Sequence, residues 1–174
     1  MELTHQLTPM LRTLRLSGIL DTLEVRNRQA VEQQSSFVEF LTLLLQDEVE
    51  RRAQTNLRLR LRRAAFDASK TLETFDFAFN PKLNKAQVFD LATCQFIPRH
   101  EPVLIYGPTG VGKSHLAQAL AHEACRRGHE VLFVNTDKML THLAGGRADG
   151  THEQRLARYT RPDLLVLDDF VSVR

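Results

Sequence analysis

The sequence predicts an α/β fold in which a parallel-sheet core follows an α-helical N-terminal module. From residue 102 onward, short apolar runs alternate with segments of helical periodicity, as in parallel strands joined by crossover helices. Between residues 3 and 66, proline is absent after Pro9 and Gly18 is the only glycine, so that composition favours helices. We assign 1–68 to the helical module, 69–101 to a junction and 102–174 to the part that contains the sheet.

The helical module is expected to form antiparallel helices. Apolar residues recur at helical spacing in two short stripes, Leu7 with Leu11 and Leu14, and Ile19 with Leu20 and Leu23. Ser35 or Ser36 can cap a longer helix that begins near Phe37. Residues 57–62 also alternate Leu and Arg with the period of a strand, but they contain no β-branched residue and no breaker precedes them. We therefore expect the long helix to continue through this stretch.

The long helix carries a run of arginines with no lysine among them: Arg51, Arg52, Arg58, Arg60, Arg62 and Arg63. A solvated helix face, partly neutralised by acids just upstream, is one interpretation. A DNA-binding surface is the other, because guanidinium forks fit phosphate oxygens and stay charged. The net charge is only +2, so such a surface is a stripe and not a property of the whole chain. No base-reading motif is visible, which favours double-stranded DNA bound with little sequence preference.

The junction loses helical periodicity and is interrupted by Pro81 and Pro98. It is rich in phenylalanine, and these residues lie nearer to acids than to arginines in the sequence. Packing against the sheet is therefore favoured over base stacking for all five of them, Phe75, Phe77, Phe79, Phe89 and Phe96.

A phosphate-binding loop opens the sheet-containing part. Gly107 to Ser114 spell Gly-Pro-Thr-Gly-Val-Gly-Lys-Ser, which fits the pattern G-x-x-x-x-G-K-[S/T]. Pro102–Tyr106 is an apolar run that begins with proline and ends at glycine, as expected of a buried parallel strand. A helical pattern follows the loop, and Gly128 is expected to cap its C-terminus. A glycine turn before an ordinary helix is the plainer alternative, but the strand and helix on either side favour a nucleotide site.

The chemistry of such a loop predicts ATP and Mg²⁺ as ligands. Its glycines let backbone N–H groups turn toward a phosphate, and the following helix directs its positive end at the same charge. Lys113 is expected to reach the β- and γ-phosphates and Ser114 to offer its hydroxyl to Mg²⁺. The predicted nucleotide-contacting residues are Gly107, Pro108, Thr109, Gly110, Val111, Gly112, Lys113, Ser114 and His115.

Two carboxylates at the end of a second apolar run complete the predicted site. Asp168 and Asp169 follow the strand that begins near Asp163, at the strand end where open α/β sheets bind their ligands. The chemistry needs one acid in the Mg²⁺ shell and another that orients or deprotonates water, which suits Asp168 and Asp169 in that order. Lys113 and Asp169 are thus the catalytic candidates. Without the phosphate loop, a turn or a helix cap would explain the paired acids better.

The segment between the two halves of the site predicts a βαβ unit. Residues 130–135 form an expected strand, and Thr136 or Asp137 can cap a short helix after it. The glycines of residues 145–150 predict a loop. Thr151 with Gln154 can then form a capping box for a helix that runs to about Tyr159.

Composition excludes several classes of protein. With 174 residues, 43% of them hydrophobic, the chain can bury a core and is not a disordered protein. No run approaches the roughly 18 apolar residues of a membrane span, and the N-terminus lacks the apolar centre of a signal peptide, so we expect a cytoplasmic protein with no membrane partner. Cys94 and Cys125 are expected to be reduced thiols, and His115 and His122 lack a third spaced ligand for zinc.

Four features together resemble the IstB-like transposition helper ATPases of insertion sequences. They are the arginine-rich helix, the junction sequence from Lys70 to Phe77, the loop with His-Leu-Ala after it, and the strand that ends in Asp-Asp-Phe at residue 170. The resemblance covers nearly the whole chain. This family is related to DnaC-type helicase loaders, and both belong to the AAA+ class of P-loop NTPases.

The resemblance implies ATP-dependent assembly on target DNA, recruitment of the transposase of the same element, and a homo-oligomer. It also implies that the loop residues, Asp168 and Asp169 take the family's nucleotide, magnesium and water-activating roles. Members of the family continue well beyond Asp-Asp-Phe, whereas this sequence stops at Arg174. The sequence thus leads us to expect an incomplete core with either an open gap or a slipped strand pairing, and impaired ATP hydrolysis. A helicase-loader ATPase and a non-catalytic DNA-binding fragment remain as alternatives.

Overall fold

The computed structural model describes residues 2–81 and 83–170, with side chains from residue 6 onward. Residues 171–174, at which the sequence stops, lie outside this range, so the expectation that concerned them is not addressed by the structure. Contacts divide the chain into two compact units, Met1–Asn56 and Leu57–Arg174, here called unit 1 and unit 2. The elements in chain order are α1 (Glu2–Thr13), α2 (Ser17–Glu32), α3 (Phe37–Ala64), α4 (Lys85–Ala92), α5 (Lys113–Arg126), β1 (Val131–Asn135), α6 (Thr136–Asp149), α7 (His152–Thr160) and β2 (Leu164–Asp168).

Unit 1 consists of α1, α2 and the N-terminal part of α3. Ile19, Leu23 and Leu44 form its buried centre, with Leu11, Leu16 and Phe40 packed around them. Leu7 and Leu14, which the periodicity assigned to the apolar stripe, are 43% and 64% exposed. The predicted start of α3 is confirmed, because the Ser36 hydroxyl accepts from Glu39 N (3.2 Å) and the Glu39 carboxylate accepts from Ser36 N (2.7 Å).

A close approach between α2 and α3 fixes the centre of unit 1. A Cβ on Gly18 would lie 2.8 Å from the Cα of Glu48, so only glycine fits there. The Gly18 amide donates to Glu48 Oε2 at 2.6 Å. About two turns further along α2, the Arg26 guanidinium binds both oxygens of Asp47, at 2.9 and 2.7 Å, and this pairing lowers the pKa of Asp47 to about 2.

Unit 2 contains a parallel sheet with helices packed on it. Strands β1 and β2 pair in register from Val131 with Leu164 to Asn135 with Asp168. Helix α5 joins two apolar clusters. Its Ala121, Ala124 and Cys125 pack with the end of α3 and with β1, and its Leu116 and Leu120 pack with Phe75 and Val88 from the former junction. The α/β class with a preceding helical part is therefore confirmed.

The prediction of a strand at residues 102–106 is wrong. These residues have no regular secondary structure, and Leu104 and Tyr106 are 77% and 86% exposed. Only Ile105 packs against the cluster around Leu120. An apolar run becomes a strand only when a neighbour pairs with its backbone, and the described residues supply none, because the sheet holds β1 and β2 alone. The described residues show no pairing of residues 102–106 with β2, so a slipped pairing of these two segments is not observed there.

The prediction of a loop at residues 145–150 is also wrong, because α6 continues through Gly145 and Gly146 and ends at Asp149. A Cβ on Gly146 would lie 2.9 Å from the Cα of His152, so small residues here let α7 pack closely against α6. Thr151 does precede α7 but makes no side-chain cap. Its hydroxyl donates to Asp149 (2.5 Å) and accepts from Arg155 (2.8 Å) instead.

The junction contains a helix that the periodicity missed. Asn84 caps α4 by accepting a hydrogen bond from Gln87 N at 3.2 Å. Phe75 is buried and meets Phe77 edge to face at a centroid distance of 4.9 Å. Phe89 stacks on Phe77 and Phe96 packs against the cluster around Cys125. The expectation of packing is wrong for Phe79, which is 69% exposed, and Phe89 remains 56% exposed despite its stacking on Phe77. No helix in the described residues is long and apolar enough to cross a bilayer.

Candidate nucleotide site

The loop at residues 107–112 has a backbone that only glycine adopts easily. Gly110 and Gly112 have φ angles of +83° and +89°, in the left-handed region. Gly112 is also the N-cap of α5, so the helix begins at Lys113, as predicted. A Cβ at Gly112 would lie 3.3 Å from the Phe75 ring. The loop is thus shaped by its own glycines and backed by an aromatic side chain of the junction.

Both ends of α5 match the predicted helix. At its N-terminus, Lys113 Nζ donates to the carbonyl oxygens of Gly107 (2.9 Å) and Pro108 (2.7 Å). The ammonium group therefore lies directly over the loop, within reach of whatever the loop binds. At the C-terminus, Gly128 has a φ of +102° and donates to Cys125 O at 3.2 Å, which confirms the predicted cap.

The loop helix and the acid strand meet at a hydrogen bond. Ser114 Oγ donates to Asp168 Oδ1 at 2.9 Å, although the two residues are 54 positions apart. The Thr136 hydroxyl donates to the carbonyl oxygen of Asp168 at 2.9 Å and so ties down the end of β2. The two side chains that the sequence assigned to Mg²⁺ therefore lie together, and both present oxygen atoms, the donor type that Mg²⁺ prefers.

Asn135 is a site residue that the sequence reasoning missed. It ends β1 beside Asp168, and its Nδ2 donates to Asp169 Oδ2 at 3.0 Å. Its Oδ1 accepts from Lys138 N at 3.2 Å, so Asn135 caps α6, where Thr136 or Asp137 was expected to do so. The available signal was a polar residue at the carboxyl end of a strand that neighbours the acid strand in a parallel sheet.

The backbone at Asp169 is unusual for a residue with a side chain. Its φ is +54°, in the left-handed region that most residues avoid. This conformation follows immediately after β2 and places the carboxylate against the Asn135 amide. The Asp169 side chain is exposed to solvent.

His115 faces the junction rather than the loop. Its Nε2 lies 3.5 Å from the Thr74 hydroxyl, and its ring meets Phe75 edge to face at 5.1 Å. Among the predicted loop residues, Pro108 and Thr109 are exposed and Val111 is half-buried. His122, about two turns further along α5, is buried, and burial lowers its pKa from the usual 6.5.

The two thiols of unit 2 are free, as predicted, and buried. Burial raises the pKa of Cys94 and raises that of Cys125 to about 11, so both stay protonated and unreactive near neutral pH. The described residues hold no cluster of three or more His, Cys, Asp or Glu that could bind a metal ion by itself. A metal at this site would therefore depend on the ligand phosphates for most of its coordination.

The six arginines of α3 differ in what they contact. In unit 1, Arg52 Nε pairs with Glu48 Oε1 at 2.6 Å, whereas the buried Nε of Arg51 has no hydrogen-bond partner among the described residues. In unit 2, Arg60 Nε donates to Cys125 O at 3.0 Å and Arg63 lies 3.6 Å from Glu130. The side chains exposed without an ion pair in the described structure are those of Arg58 and Arg62.

Comparison with known proteins adds a family to this geometry. The family model described as IstB-like ATP binding protein matches residues 9–172. A relative from Mycobacterium tuberculosis, named as an ATP-binding protein in an insertion sequence, is 50% identical over 160 residues, which cover 92% of this chain and 64% of the relative. The ATP-binding protein of insertion sequence IS21 from Pseudomonas aeruginosa is 35% identical over 165 residues, 95% of this chain and 62% of the relative. A third relative, from insertion sequence IS232 of Bacillus thuringiensis, is 31% identical over 95% of this chain and 66% of its own length. The chain thus spans a little under two thirds of the length of these relatives.

Proposed function

Because the chain belongs to the family of IstB-like ATP-binding proteins of insertion sequences, we propose that it acts as an ATP-dependent transposition helper. In this role it binds ATP and Mg²⁺ at the loop, assembles on double-stranded DNA with little sequence preference, and engages the transposase of the same element as a homo-oligomer. The observation that carries the proposal is the hydrogen bond between Ser114 and Asp168, which joins the loop helix to the acid strand.

Each residue of the site has a task in this proposal. The backbone N–H groups of the loop and the N-terminus of α5 bind the phosphates, and Lys113 moves from the loop carbonyls to phosphate oxygens. Ser114 and Asp168 would hold Mg²⁺, which offsets the phosphate charge when bound. Asp169 orients water, and Asn135 positions the Asp169 carboxylate through the 3.0 Å hydrogen bond.

Nucleotide binding is tested with a fluorescent ATP analogue in the presence and absence of Mg²⁺. Lys113→Ala should weaken binding about tenfold or more under both conditions, because it removes a charged donor to the phosphates. Ser114→Ala and Asp168→Asn should lose only the part of the affinity that Mg²⁺ adds. Lys70→Ala makes the same charge change outside the loop and serves as the control. Wild-type affinity in Lys113→Ala would rule out the loop as the site.

DNA binding is tested at the two arginines that are exposed without a partner. The double variant Arg58→Ala/Arg62→Ala should lower the affinity for a DNA duplex and reduce the salt dependence of binding, since each phosphate contact contributes about 0.9 to the slope. Arg28→Gln, an exposed arginine on α2, is the control. Unchanged binding would refute the assignment of this face to DNA.

The partner is tested by comparing two macromolecules. The names of the relatives place them in insertion sequences, which favours a transposase over a replicative helicase. Co-purification of the chain with the transposase of its own element should depend on ATP and on Lys113. Binding to a replicative helicase, with none to the transposase, would support the helicase-loader alternative instead.

A further inference from the structure

Unit 1 holds a pocket that the nucleotide site does not use. The turn between α1 and α2 faces α3 across a cavity of about 570 Å³. Its polar lining comes from Arg15 on the turn and from Glu48, Arg51, Arg52, Thr55 and Asn56 on α3. All seven lining residues belong to unit 1, whereas the loop at residues 107–114 belongs to unit 2.

The charge of the pocket is positive once its internal pairs are counted. Glu48 lies in the wall, only 4% exposed, with Oε1 bound to Arg52 Nε and Oε2 bound to Gly18 N, both at 2.6 Å. Burial opposes ionisation of Glu48, but the hydrogen bonds from Arg52 and Gly18 outweigh it, and the pKa of this carboxyl lies below its usual value. The single negative charge is thus committed to Arg52 and to the helix backbone. Arg15 and Arg51 remain as two uncompensated guanidinium groups.

One of the arginines that line the pocket also has an unsatisfied donor. Arg51 Nε is buried and has no hydrogen-bond partner within the described structure, and the rest of its guanidinium group is what the pocket can offer to a ligand. The side chain of Arg15 makes no hydrogen bond or ion pair to the residues described, although its carbonyl oxygen accepts from Arg52 Nη2 at 3.3 Å. Thr55 and Asn56 add a neutral hydroxyl and an amide to the same wall.

We propose that this pocket binds a phosphate group of the DNA backbone, held by Arg15 and Arg51 with Thr55 and Asn56 as neutral donors. Guanidinium forks match the oxygens of a phosphate, and the pocket offers several donors and no free carboxylate to repel an anion. Its volume of about 570 Å³ exceeds that of one phosphate group, so size does not exclude the ligand. The proposal rests on the DNA binding proposed above and adds a defined phosphate site in unit 1 to the exposed arginines of unit 2.

The test uses the full chain and a fluorescently labelled 30-base-pair duplex, with the affinity measured by anisotropy across a range of salt concentrations. Arg15→Gln and Arg51→Gln should each weaken binding about tenfold at low salt and lower the salt slope by about one. Arg51→Lys keeps the charge but loses the fork, so it should keep most of the slope and lose part of the affinity. Arg28→Gln is the matched control on α2, and circular dichroism verifies that each variant is folded. If Arg51→Gln does not fold, Arg15→Gln and Thr55→Val provide the test.

The outcomes separate this proposal from the proposed function. A lower salt slope in Arg15→Gln and Arg51→Gln, with wild-type behaviour of Arg28→Gln, supports the pocket. A lower slope in Arg58→Ala/Arg62→Ala alone overturns the pocket and leaves DNA binding in place. A wild-type chain that binds no duplex overturns both. In a parallel arm, inorganic phosphate is titrated while the arginine Nε–H resonances are followed by NMR. Shifts at Arg51 without any effect of its substitution on DNA binding would show a site for free phosphate and overturn the proposal.

Discussion

Replacement of Gly18 by alanine tests whether the contact between α2 and α3 holds unit 1 together. The new Cβ would lie 2.8 Å from the Cα of Glu48 and 2.8 Å from its Oε2, and 3.0 Å from the carbonyl oxygen of Asp47. Two of these three atoms belong to the backbone, so no side-chain rotation relieves the overlap. The helices must separate, and the 2.6 Å hydrogen bond from Gly18 N to the buried Glu48 carboxylate must lengthen or break.

Two opposing effects set the magnitude. Alanine is the better helix former, which stabilises α2 by about 0.5–1 kcal/mol. Against this, overpacking costs about 1–3 kcal/mol. A weakened hydrogen bond to a buried charge costs about 1.5–3 kcal/mol more. The net destabilisation is about 2–5 kcal/mol, which is comparable to the roughly 3–5 kcal/mol that one small core supplies to a unit of this size.

The assay is urea unfolding followed by the helical signal in circular dichroism. Gly18→Ala should lower the unfolding midpoint of the helical unit by 1 M or more, or abolish its folded baseline, given slopes of about 1–3 kcal/mol/M for small proteins. Asn27→Ala makes an alanine at an exposed position of the same helix and should change stability by no more than about 0.5 kcal/mol. An unchanged or raised midpoint in Gly18→Ala would show that helix propensity outweighs the contact, and the reasoning from close approach would fail.

Three further predictions concern unit 2. Gly112→Ala should weaken binding of the ATP analogue about 5- to 30-fold, because a φ of +89° costs a non-glycine residue about 1–2 kcal/mol; equal affinity would show that the loop binds in another conformation. Arg60→Ala should destabilise the unit by about 1–2 kcal/mol, because it removes the hydrogen bond to Cys125 O. Arg58→Ala should change the stability by no more than about 0.5 kcal/mol, and equal melting temperatures for the two variants would contradict the difference in contacts. The lowered pKa of buried His122 means that the unfolded chain binds its proton first, so this residue's contribution to stability is present above pH 6.5 and lost as the pH falls below it. His122→Leu should therefore show a shallower fall in melting temperature between pH 7 and 5 than the wild type, and a parallel fall would exclude His122 as the cause.

Local signals predicted the elements whose formation depends on nearby residues. The start of α3 followed from Ser36, the start of α5 from the phosphate loop before it, and the end of α5 from Gly128. Each of these signals acts within a few residues of the backbone it stabilises, so the sequence contains all that is needed. The same is true of β2, whose apolar run ends at two acids.

Predictions failed where distant residues decide the outcome. Residues 102–106 have the composition of a strand, but their pairing depends on a neighbour that the described residues do not supply. Gly146 was predicted to lie in a loop, but it lies in α6. Helix α7 packs against it at a distance that excludes a Cβ, which explains the glycine without a loop. Phe79 is exposed although the phenylalanine-rich composition of the junction suggested packing, because burial depends on which apolar groups the fold brings near.

By itself, the sequence determined the class of fold and predicted a nucleotide-binding loop, because a phosphate loop and a pair of strand-end acids are short patterns with local causes. Only the tertiary structure decided that Ser114 meets Asp168, that Asn135 holds Asp169, and that Arg51 lies in a pocket with Arg15 while Arg52 is paired and Arg60 is bound to a helix end. These are contacts between residues far apart in the chain. Periodicity shows which face of a helix a side chain occupies, but the partner on that face depends on how the chain folds back on itself.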